Sequence, residues 1–311
     1  MNGGVIGMTS APPVLHRLLP LLLVPLLAGC SIRGMAVSAV ADGLSGTGDT
    51  FASDDDPELI RDAVPFALKT YEALLAELPE HRGLLLASAR GFTQYAYAFV
   101  ETDALLLEAQ DPAAARAELL RARNLYLRAR DYGLRALELE RPGTLEGLQQ
   151  DPVTAAARFD REDVEVMYWT AAAWGAAISA GMDDPQLVVD FPAVRALLER
   201  ALALDPDWSD GALHEAMISL ESVPEALGGS EERARAHFQR AVELSEGRKA
   251  GPYVALAGGL VVGNQDREEF EALLRSALTV DPDAAPSFRL ANLIAQRRAR
   301  HLLSRGDELF F

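Results

Sequence analysis

The sequence predicts an all-α protein built from short antiparallel helices. Three observations support this fold class. Ala, Leu, Glu and Arg, which favour helix, dominate the chain from about residue 56 onward. No long stretch of the sequence alternates apolar and polar residues, as a half-buried strand would. Asp-Pro pairs recur along the chain, and each can begin or end a helix.

The Asp-Pro pairs and the apolar periodicity together place the individual helices. Asp at the N-cap accepts hydrogen bonds from free backbone N–H groups, and Pro at the first helical position loses no hydrogen bond. The predicted helices cover residues 57–78, with a kink or break at Pro65, then 84–108, 113–139, 162–180, 192–204, 209–222, 230–245, 253–262, 266–279 and 286–304. Residues 143–152 and 227–230 are predicted to be loops.

A degenerate repeat runs through these helices. The segments ALALDPD at 201–207 and ALTVDPD at 277–283 echo each other, and LLAELPE at 74–80 is a weaker copy. Reading back from each proline gives the small, large, small and Pro spacing typical of the second helix of a tetratricopeptide repeat. In that helix the small residue allows a close helix approach and the large residue fills the gap between hairpins. The sequence therefore predicts degenerate tetratricopeptide-like hairpins that stack into a compact superhelix.

The N-terminal segment is typical of a lipoprotein signal peptide. His16 and Arg17 precede the apolar run LLPLLLVPLLA at 18–28, which is shorter than the roughly 20 residues that span a bilayer as helix. The run ends in Leu27-Ala28-Gly29-Cys30, which resembles a bacterial lipobox at every position. The sequence predicts a signal peptide at 1–29, a lipidated Cys30 with a flexible tether over 30–50, and a single helical domain over 51–311.

Lipidation of Cys30 predicts a membrane anchor on a body that does not itself enter the bilayer. The thiol would carry diacylglycerol and the amine a fatty acyl chain such as palmitate, and two or more such chains hold stably. Ser31 follows the cysteine, and in lipoproteins a residue other than Asp there indicates the outer membrane. Because Cys30 is the only cysteine, the mature chain has no thiol for a disulfide, a zinc site or nucleophilic catalysis.

The charge balance excludes one class of partner. The chain has 29 Lys and Arg residues against 46 Asp and Glu residues, a formal net charge of -17. Binding to nucleic acid or to anionic membrane surfaces needs clustered basic residues. We therefore expect no nucleic-acid partner and no membrane contact other than the lipid anchor.

Two aromatic clusters are the candidate ligand site. In GFTQYAYAF at 91–99 the side chains of Phe92, Tyr95 and Phe99 share one helical face, with Gln94 beside it and Tyr97 predicted to point elsewhere. A second cluster consists of Tyr168, Trp169 and Trp174 in VMYWTAAAWGAA. Such stripes are more often core than cavity lining, and both interpretations remain open at this point.

The sequence contains no complete catalytic or metal-binding motif. His214-Glu215 begins like the zinc-protease motif HExxH, but position 218 is Ile, so His214 is predicted to be structural. The acidic residues that begin at Asp205 suggest a calcium loop, but the twelfth position is Ala216 where the bidentate Glu is needed. We therefore predict no catalytic residue, no metal and no cofactor, and a protein that is not an enzyme.

The last predicted helix carries the one basic cluster. It contains Arg297, Arg298, Arg300 and Arg305 in NLIAQRRARHLLSR, with Asn292 nearby. One interpretation is an exposed helix whose arginines form salt bridges. The other is a docking patch for an acidic partner, or a carboxylate-binding arginine at a cavity mouth, because Arg binds carboxylates in a bidentate manner. Asn292, Arg297 and Arg298 are the candidate docking residues.

Three long blocks of the chain resemble the TatT family, the tetratricopeptide-like lipoprotein component associated with TRAP transporters. The blocks are FASDDDPELIRDAVPFALKTYEALLAELPEH with LLLASARGFTQYAYAF, then EALGGSEERARAHFQRAVELSEGRKAGPYVALA, and then EFEALLRSALTVDPDAAP continuing to RLANLIAQRRARHLL. With the lipobox they cover most of the mature chain. No catalytic motif defines this family, so the resemblance transfers no catalytic residue.

The resemblance implies a periplasmic homotrimer with an apolar cavity in each protomer. It further implies that the protein docks the soluble substrate-binding component of a TRAP transporter and handles a hydrophobic or organic-acid small molecule, with the aromatic clusters as cavity walls. The alternative is a tetratricopeptide-like scaffold lipoprotein that binds a peptide during envelope assembly. A closed apolar tunnel would favour ligand handling, and an open polar groove would favour the scaffold.

Overall fold

The computed structural model describes residues 1–4, 38–44, 46 and 48–310. Within these residues the regular secondary structure is helical and contains no strand, which confirms the all-α fold class. Cys30 and the lipobox lie outside the described residues. In the part of the chain that is described, no helix combines the length and the apolar character needed to cross a membrane.

The helices of the first half are as follows. They are α1 Gly48–Ala52, α2 Pro57–Glu77, α3 Arg82–Tyr95, α4 Thr102–Leu107, α5 Pro112–Glu140, α6 Thr144–Gln150, α7 Pro152–Ala156 and α8 Val164–Ser179. A π-helical segment, Ala96–Glu101, joins α3 to α4 without a break. A short 3-10 turn covers Arg161–Asp163.

The helices of the second half continue the same pattern. They are α9 Pro185–Val188, α10 Phe191–Leu204, α11 Trp208–Glu221, α12 Glu231–Leu244, α13 Gly251–Leu256, α14 Arg267–Thr279, α15 Arg289–Ser304 and α16 Gly306–Leu309. A second π-helical segment, Ala257–Val261, follows α13 directly. Short 3-10 turns cover Glu225–Leu227, Pro282–Ala284 and Pro286–Phe288.

The Asp-Pro pairs begin helices as predicted. Asp56 accepts hydrogen bonds from the backbone N–H groups of Glu58 and Leu59 at 3.0 and 3.1 Å. Asp111 and Asp151 cap α5 and α7 in the same way. These side chains satisfy N–H groups that have no partner within the helix. Of the kink or break predicted at Pro65, the break is wrong, because this proline lies inside α2 and the helix continues past it.

The loop predicted over residues 143–152 is also wrong, because α6 and α7 occupy most of it. The carboxylate of Glu138 caps the start of α6 by accepting hydrogen bonds from the N–H groups of Gly143 and Leu145, at 2.7 and 3.0 Å. Leu148 is fully buried in the main core. Tertiary packing and a distant cap therefore make a helix from a short segment that contains two glycines.

The predicted tether is partly ordered against the body. Residues 38–44 are helical, and Ala41 is fully buried in the main core. The hydroxyl of Tyr71 donates to the carbonyl of Leu44 at 3.2 Å. Asp42 lies 3.2 Å from the imidazole of His81, which begins α3. These residues therefore pack on α2 and α3, in a stretch where the sequence predicts flexibility.

Most neighbouring helices pack through apolar and small residues. The most extensive of these contacts joins α5 and α8. We call the contact between these two helices the apolar seam. Leu137 of α5 and Met167 of α8 are fully buried in it. A Cβ atom on Gly133 would lie 2.2 Å from the hydroxyl oxygen of Thr170, so the two helices approach too closely for any larger residue there.

The last long helix returns to the first ones and closes the helices into a ring. Ile294 of α15 packs with Ile60 of α2 and with Phe99. Around this apolar contact lie ion pairs that join α15 and the residue after it to α2, to the 82–107 segment and to Glu108, which follows that segment. They are Arg297–Glu58 at 3.1 Å, Arg298–Glu101 at 2.9 Å and Arg305–Glu108 at 2.5 Å. We call this contact the closing seam.

Most positions of the predicted repeat are buried, whereas Ala67, Leu74 and Phe238 are half-buried. Val194, Leu198 and Ala201 of α10 lie in the main core, and Phe270, Leu274 and Ala277 of α14 lie in a second core that spans α12 to α15. The corresponding Ala234 and Ala241 of α12 are also buried. The apolar face of each helix therefore matches the predicted one, and the tetratricopeptide type of the hairpins stays a prediction.

Candidate functional site: an inner recess lined by Tyr97, Tyr168 and Glu215

Tyr97 lies in the first π-helical segment, and its ring packs against the guanidinium of Arg298 from the last long helix. Its backbone carbonyl, freed from the α-helical pattern, accepts a hydrogen bond from the hydroxyl of Thr102 at 2.9 Å. The side chain is 39% exposed, yet burial raises the pKa of its hydroxyl. A side chain can be both accessible and desolvated where the space that it borders is itself enclosed by protein. Exposure of the side chain together with desolvation of the hydroxyl makes Tyr97 a candidate wall of an enclosed space, which we call the inner recess.

Tyr168 and Glu215 border the same recess from two other helices. Burial raises the pKa of Tyr168, and the charge of Glu215 and the nearby Tyr97 raise it further. Burial also raises the pKa of Glu215. The Glu215 charge acts in turn on Tyr97. Because these electrostatic effects couple the three groups, we take Tyr97 of the π segment, Tyr168 of α8 and Glu215 of α11 as the candidate lining of the inner recess.

Arg298 closes one side of the recess. Its guanidinium carbon lies 4.3 Å from the centre of the Tyr97 ring, a cation–π distance. The same group donates to the carboxylate of Glu101 at 2.9 Å and to the hydroxyl of Thr102 at 3.2 Å. The second oxygen of Glu101 accepts from the hydroxyl of Tyr126 at 2.6 Å. Arg298 is thus held in place and its charge is balanced by Glu101.

Glu215 lies against the start of α13. A Cβ atom on Gly251 would be 1.9 Å from one of its carboxylate oxygens, so a larger residue there would require the Glu215 side chain to shift. The nearest cation in electrostatic terms is Lys249, which lowers the pKa of Glu215 but does not offset its burial. Lys249 itself is buried, and its ammonium donates to the carbonyl of Ser209 at 2.6 Å. The carboxylate of Glu215 is therefore incompletely compensated.

Three of the predicted cavity aromatics belong to the core. Phe92, Phe99 and Trp174 are buried, and the indole N–H of Trp174 donates to Asp190 at 3.3 Å. Tyr95 is half-buried and its ring centre lies 5.6 Å from that of Phe99. These positions match the core interpretation that the sequence left open.

The remaining predicted residues lie nearer to the recess. Tyr168 and Trp169 are half-buried, with ring centres 4.9 Å apart, and Gln94 is exposed one turn before Tyr97. Tyr168 is thus the predicted residue that reaches the recess. Tyr97 was predicted to point away, because a regular helix would place it off the aromatic face. The π segment that begins at Ala96 changes the residues per turn and alters that relation.

The candidate docking residues fall into three different environments. Asn292 is 1% exposed; its amide donates to the carbonyl of Arg248 at 2.8 Å and accepts from the N–H of Ala250 at 2.9 Å. It therefore fixes the turn before α13 and presents no surface to a partner. Arg298 faces the recess. Arg297 lies at the rim of the closing seam, paired with Glu58.

His214, the residue before Glu215, forms a pair with His237 of α12. Their Nδ1 atoms are 2.8 Å apart, so one ring donates and the other accepts. Burial lowers the pKa of His214 to about 4, and burial also lowers the pKa of His237. The Nε2 atom of His214 is buried without a hydrogen-bond partner in the described part of the chain. Both rings are therefore neutral at pH 7, which agrees with the predicted structural role of His214.

The acidic residues near α11 form ion pairs. Asp205 lies 3.0 Å from Arg161, and Asp207 lies 2.8 Å from Arg240. Among the described residues there is no group of three or more His, Cys, Asp or Glu side chains arranged to hold a metal ion. The calcium-loop interpretation is thus replaced by salt bridges between neighbouring helices.

Comparison with known proteins agrees with the helical ring. The family model described as TRAP transporter T-component matches residues 53–310, which is the whole ring of helices. A protein of Treponema pallidum (strain Nichols), described as uncharacterized, is 32% identical over 304 aligned residues, covering 92% of this chain and 94% of its own length. The matched family is an accessory transport component and not an enzyme family. The chain therefore belongs to the TRAP transporter T-component family.

Proposed function

We propose that this T-component is a lipid-anchored periplasmic protein that binds an apolar or amphiphilic small molecule in the inner recess. In the same proposal it docks the soluble substrate-binding component of a TRAP transporter and exchanges ligand with it, without covalent chemistry. Association with a TRAP transporter follows from the family. The ligand, the docking step, the homotrimer and the outer-membrane location belong to the proposal.

One observation supports ligand binding more than any other, the state of Tyr97. Its side chain is 39% exposed while burial raises the pKa of its hydroxyl, a combination that fits a side chain bordering an enclosed space. Enclosed sites with mostly apolar walls and a few convergent polar groups are where proteins bind small molecules. In this proposal Tyr97, Tyr168 and Glu215 are the polar groups of such a site.

The anchor and the domain arrangement rest on the sequence. The proposed layout is a signal peptide at 1–29, lipidated Cys30 with the segment to residue 50, and the helical body from 51 to 311. Acyl chains on Cys30 would hold this body at the periplasmic face of the membrane. The family match begins at residue 53, which fits the proposed start of the body.

Ligand binding is tested on the full lipidated chain, purified from a membrane fraction. Native mass spectrometry gives the oligomer mass, and solvent extraction followed by mass spectrometry identifies any co-purified small molecule. We expect a threefold mass and an adduct that the Tyr97→Ala and Tyr168→Ala variants lose. Phe66→Ala is the matched control, because Phe66 is 80% exposed on α2, outside the recess residues. A monomer that carries no small molecule in any preparation would contradict the proposal.

Docking is tested separately with a purified substrate-binding component of a TRAP transporter. Surface plasmon resonance on the captured lipoprotein should show reversible, saturable binding of that component. Binding of extended peptides in its place, with no response to the substrate-binding component, would favour the alternative of a scaffold for envelope assembly.

A further inference from the structure

The segment that precedes α2 is attached to the body at two separate places. The first place is the short helix at 38–44, where Ala41 is fully buried in the main core and Leu44 packs against it. The hydroxyl of Tyr71 in α2 donates to the carbonyl of Leu44 at 3.2 Å. Apolar burial and a hydrogen bond between distant parts of the chain therefore fix this short helix to the body.

The second place of attachment is α1, which packs on α15. Phe51 of α1 packs with Ile294 of α15 in the apolar contact of the closing seam. The guanidinium of Arg289 donates to the carbonyl of Ser53 at 3.0 Å, just after α1. The chain is thus fixed before and after the few residues that join the short helix to α1. The attachment to the body begins with the short helix and not with α1.

This attachment shortens the chain between the predicted lipid anchor and the body. Cys30 and Ser38 are eight positions apart in the sequence, and a chain of that length spans at most about 29 Å in any conformation. The predicted tether over 30–50 would span up to about 72 Å. The short helix therefore reduces the greatest distance between the bilayer and the body to less than half.

The attachment also determines which side of the body lies nearest to the anchor. Asp42 of the short helix lies 3.2 Å from the imidazole of His81, at the start of α3, and Tyr71 lies in the last third of α2. Glu58, near the other end of α2, is about 20 Å from Tyr71 along the helix axis. The anchored chain therefore joins the body beside the turn between α2 and α3.

We propose that the helix at 38–44 and the turn between α2 and α3 form the bilayer-facing surface of the protein, held within about 29 Å of the lipid. This inference rests on the proposed function, because the acyl chains on Cys30 supply the membrane end of the tether. The net charge of -17 opposes adhesion of the body to anionic lipid, so the tether and not a lipid contact sets the distance. A substrate-binding component then has to dock on another side of the ring.

The test measures how far the body lies from the bilayer, on the full lipidated chain in lipid nanodiscs. Glu80, which is exposed in the turn before α3, is changed to Cys and labelled with a fluorophore. The label reacts at one position, because Cys30 is the only native cysteine and its thiol is acylated. Energy transfer to a lipid with an acceptor on its head group then reports the distance between label and bilayer.

A lengthened tether calibrates this measurement. The insertion variant carries a flexible Gly-Ser segment of about twelve residues between positions 37 and 38, which gives the chain from Cys30 the same length as a tether over 30–50. The mean span of a flexible chain grows with the square root of its length, so it should increase about 1.6-fold. We expect efficient energy transfer in the labelled protein and clearly lower transfer in the insertion variant.

Two matched substitutions assign the short distance to the attached helix. Ala41→Glu places a charge at a fully buried position and should release the helix, so that energy transfer falls toward the value of the insertion variant. Ala39→Glu adds the same charge at an exposed position of the same helix and should leave energy transfer unchanged. Tyr71→Phe removes only the hydrogen bond to Leu44 and should give a smaller decrease than Ala41→Glu. Circular dichroism melting curves confirm that each variant is folded.

The outcomes separate this inference from the proposed function. Equal energy transfer in the labelled protein and in the insertion variant would overturn the short tether, and so would equal transfer in Ala41→Glu and Ala39→Glu. Mass spectrometry of the mature N-terminal peptide tests the acylation of Cys30 independently. If Cys30 is acylated, either of these results overturns the bilayer-facing surface and leaves the proposed anchor standing. A chain without acyl groups would contradict both the anchor and the surface.

Discussion

The apolar seam and the closing seam join helices of the same ring through different interactions. In the apolar seam between α5 and α8, Leu137 and Met167 are buried and Gly133 allows the backbones to approach closely. In the closing seam, arginines of α15 reach acidic residues of α2 and of the 82–107 segment around a small apolar contact. The first contact depends on shape and burial, and the second depends largely on charge.

This difference indicates how the ring responds to change. Apolar burial is insensitive to salt and tolerates little loss of volume. Exposed ion pairs contribute little, whereas a half-buried pair such as Arg298–Glu101 costs much when one partner is removed. Salt concentration and single charge-removing substitutions should therefore change the stability of the closing seam more selectively than that of the apolar seam. Four predictions test this contrast.

The largest effect is expected in the apolar seam. Leu137→Ala removes a fully buried side chain that α8 cannot replace, so the free energy of unfolding should fall by about 2–5 kcal/mol. Urea denaturation followed by circular dichroism measures it. Leu139→Ala on the exposed side of the same helix is the control and should cost far less. Equal effects of the two variants would mean that the seam does not stabilise the ring.

The next effect is expected at the inner end of the closing seam. Arg298→Met leaves Glu101 with the Tyr126 hydroxyl but without its cation, and should cost about 2–4 kcal/mol. Adding Glu101→Gln to this variant should recover part of the loss, because the uncompensated charge is then gone. The single variant Glu101→Gln is measured as well. If the loss of stability in the double variant equals the sum of the two single losses, the two groups are not coupled.

The histidine pair gives a neutral polar contact between α11 and α12 for comparison with both seams. Because the pKa of His214 is about 4 in the folded chain and about 6.5 when unfolded, the unfolded chain binds the proton first. Stability is therefore highest above pH 6.5 and falls as the pH drops toward 4, by about 2–3 kcal/mol between pH 7.5 and 4.5. The His214→Gln variant should lack this part of the pH dependence in urea titrations, and His81→Gln should retain it.

The smallest effect is expected at the rim of the closing seam. Arg297 pairs with Glu58, which is largely exposed, so Arg297→Ala should cost at most about 1 kcal/mol. Raising the salt concentration should reduce this difference further, because screening weakens exposed pairs. A loss of stability above about 1 kcal/mol that does not change with salt would show that the Arg297–Glu58 pair behaves like the half-buried Arg298–Glu101 pair. The predicted difference between the two pairs would then be wrong.

The local signals in the sequence predicted most of the fold. Asp56 and Asp111 marked helix starts because capping is a local property that a sequence shows directly. The helix at Thr144–Gln150 escaped prediction, since it depends on Glu138 from the preceding helix and on the burial of Leu148. Periodicity also indicated which faces are buried, including those of Phe92 and Phe99.

The candidate site was less predictable for a physical reason. Tyr168 was identified by its aromatic neighbours, but Tyr97 faces the recess from a π-helical segment that helical periodicity does not show. Glu215 was considered only as part of an incomplete zinc motif. Its significance depends on α13 lying against it, which is a contact between distant parts of the chain. For Arg298 the sequence left open a salt-bridged surface position and a docking or cavity-mouth role, because sequence spacing does not show that the ring closes.

Closure of the ring has a consequence for how the family can change over time. An open array of helical hairpins can gain or lose a unit at either end, provided that a polar cap follows. Here α15 covers α2 and the 82–107 segment, so the last helix serves as the neighbour of the first. Duplication or deletion of one hairpin would move α15 away from both. The number of hairpins is therefore fixed by geometry, and variation is confined to loops and side chains.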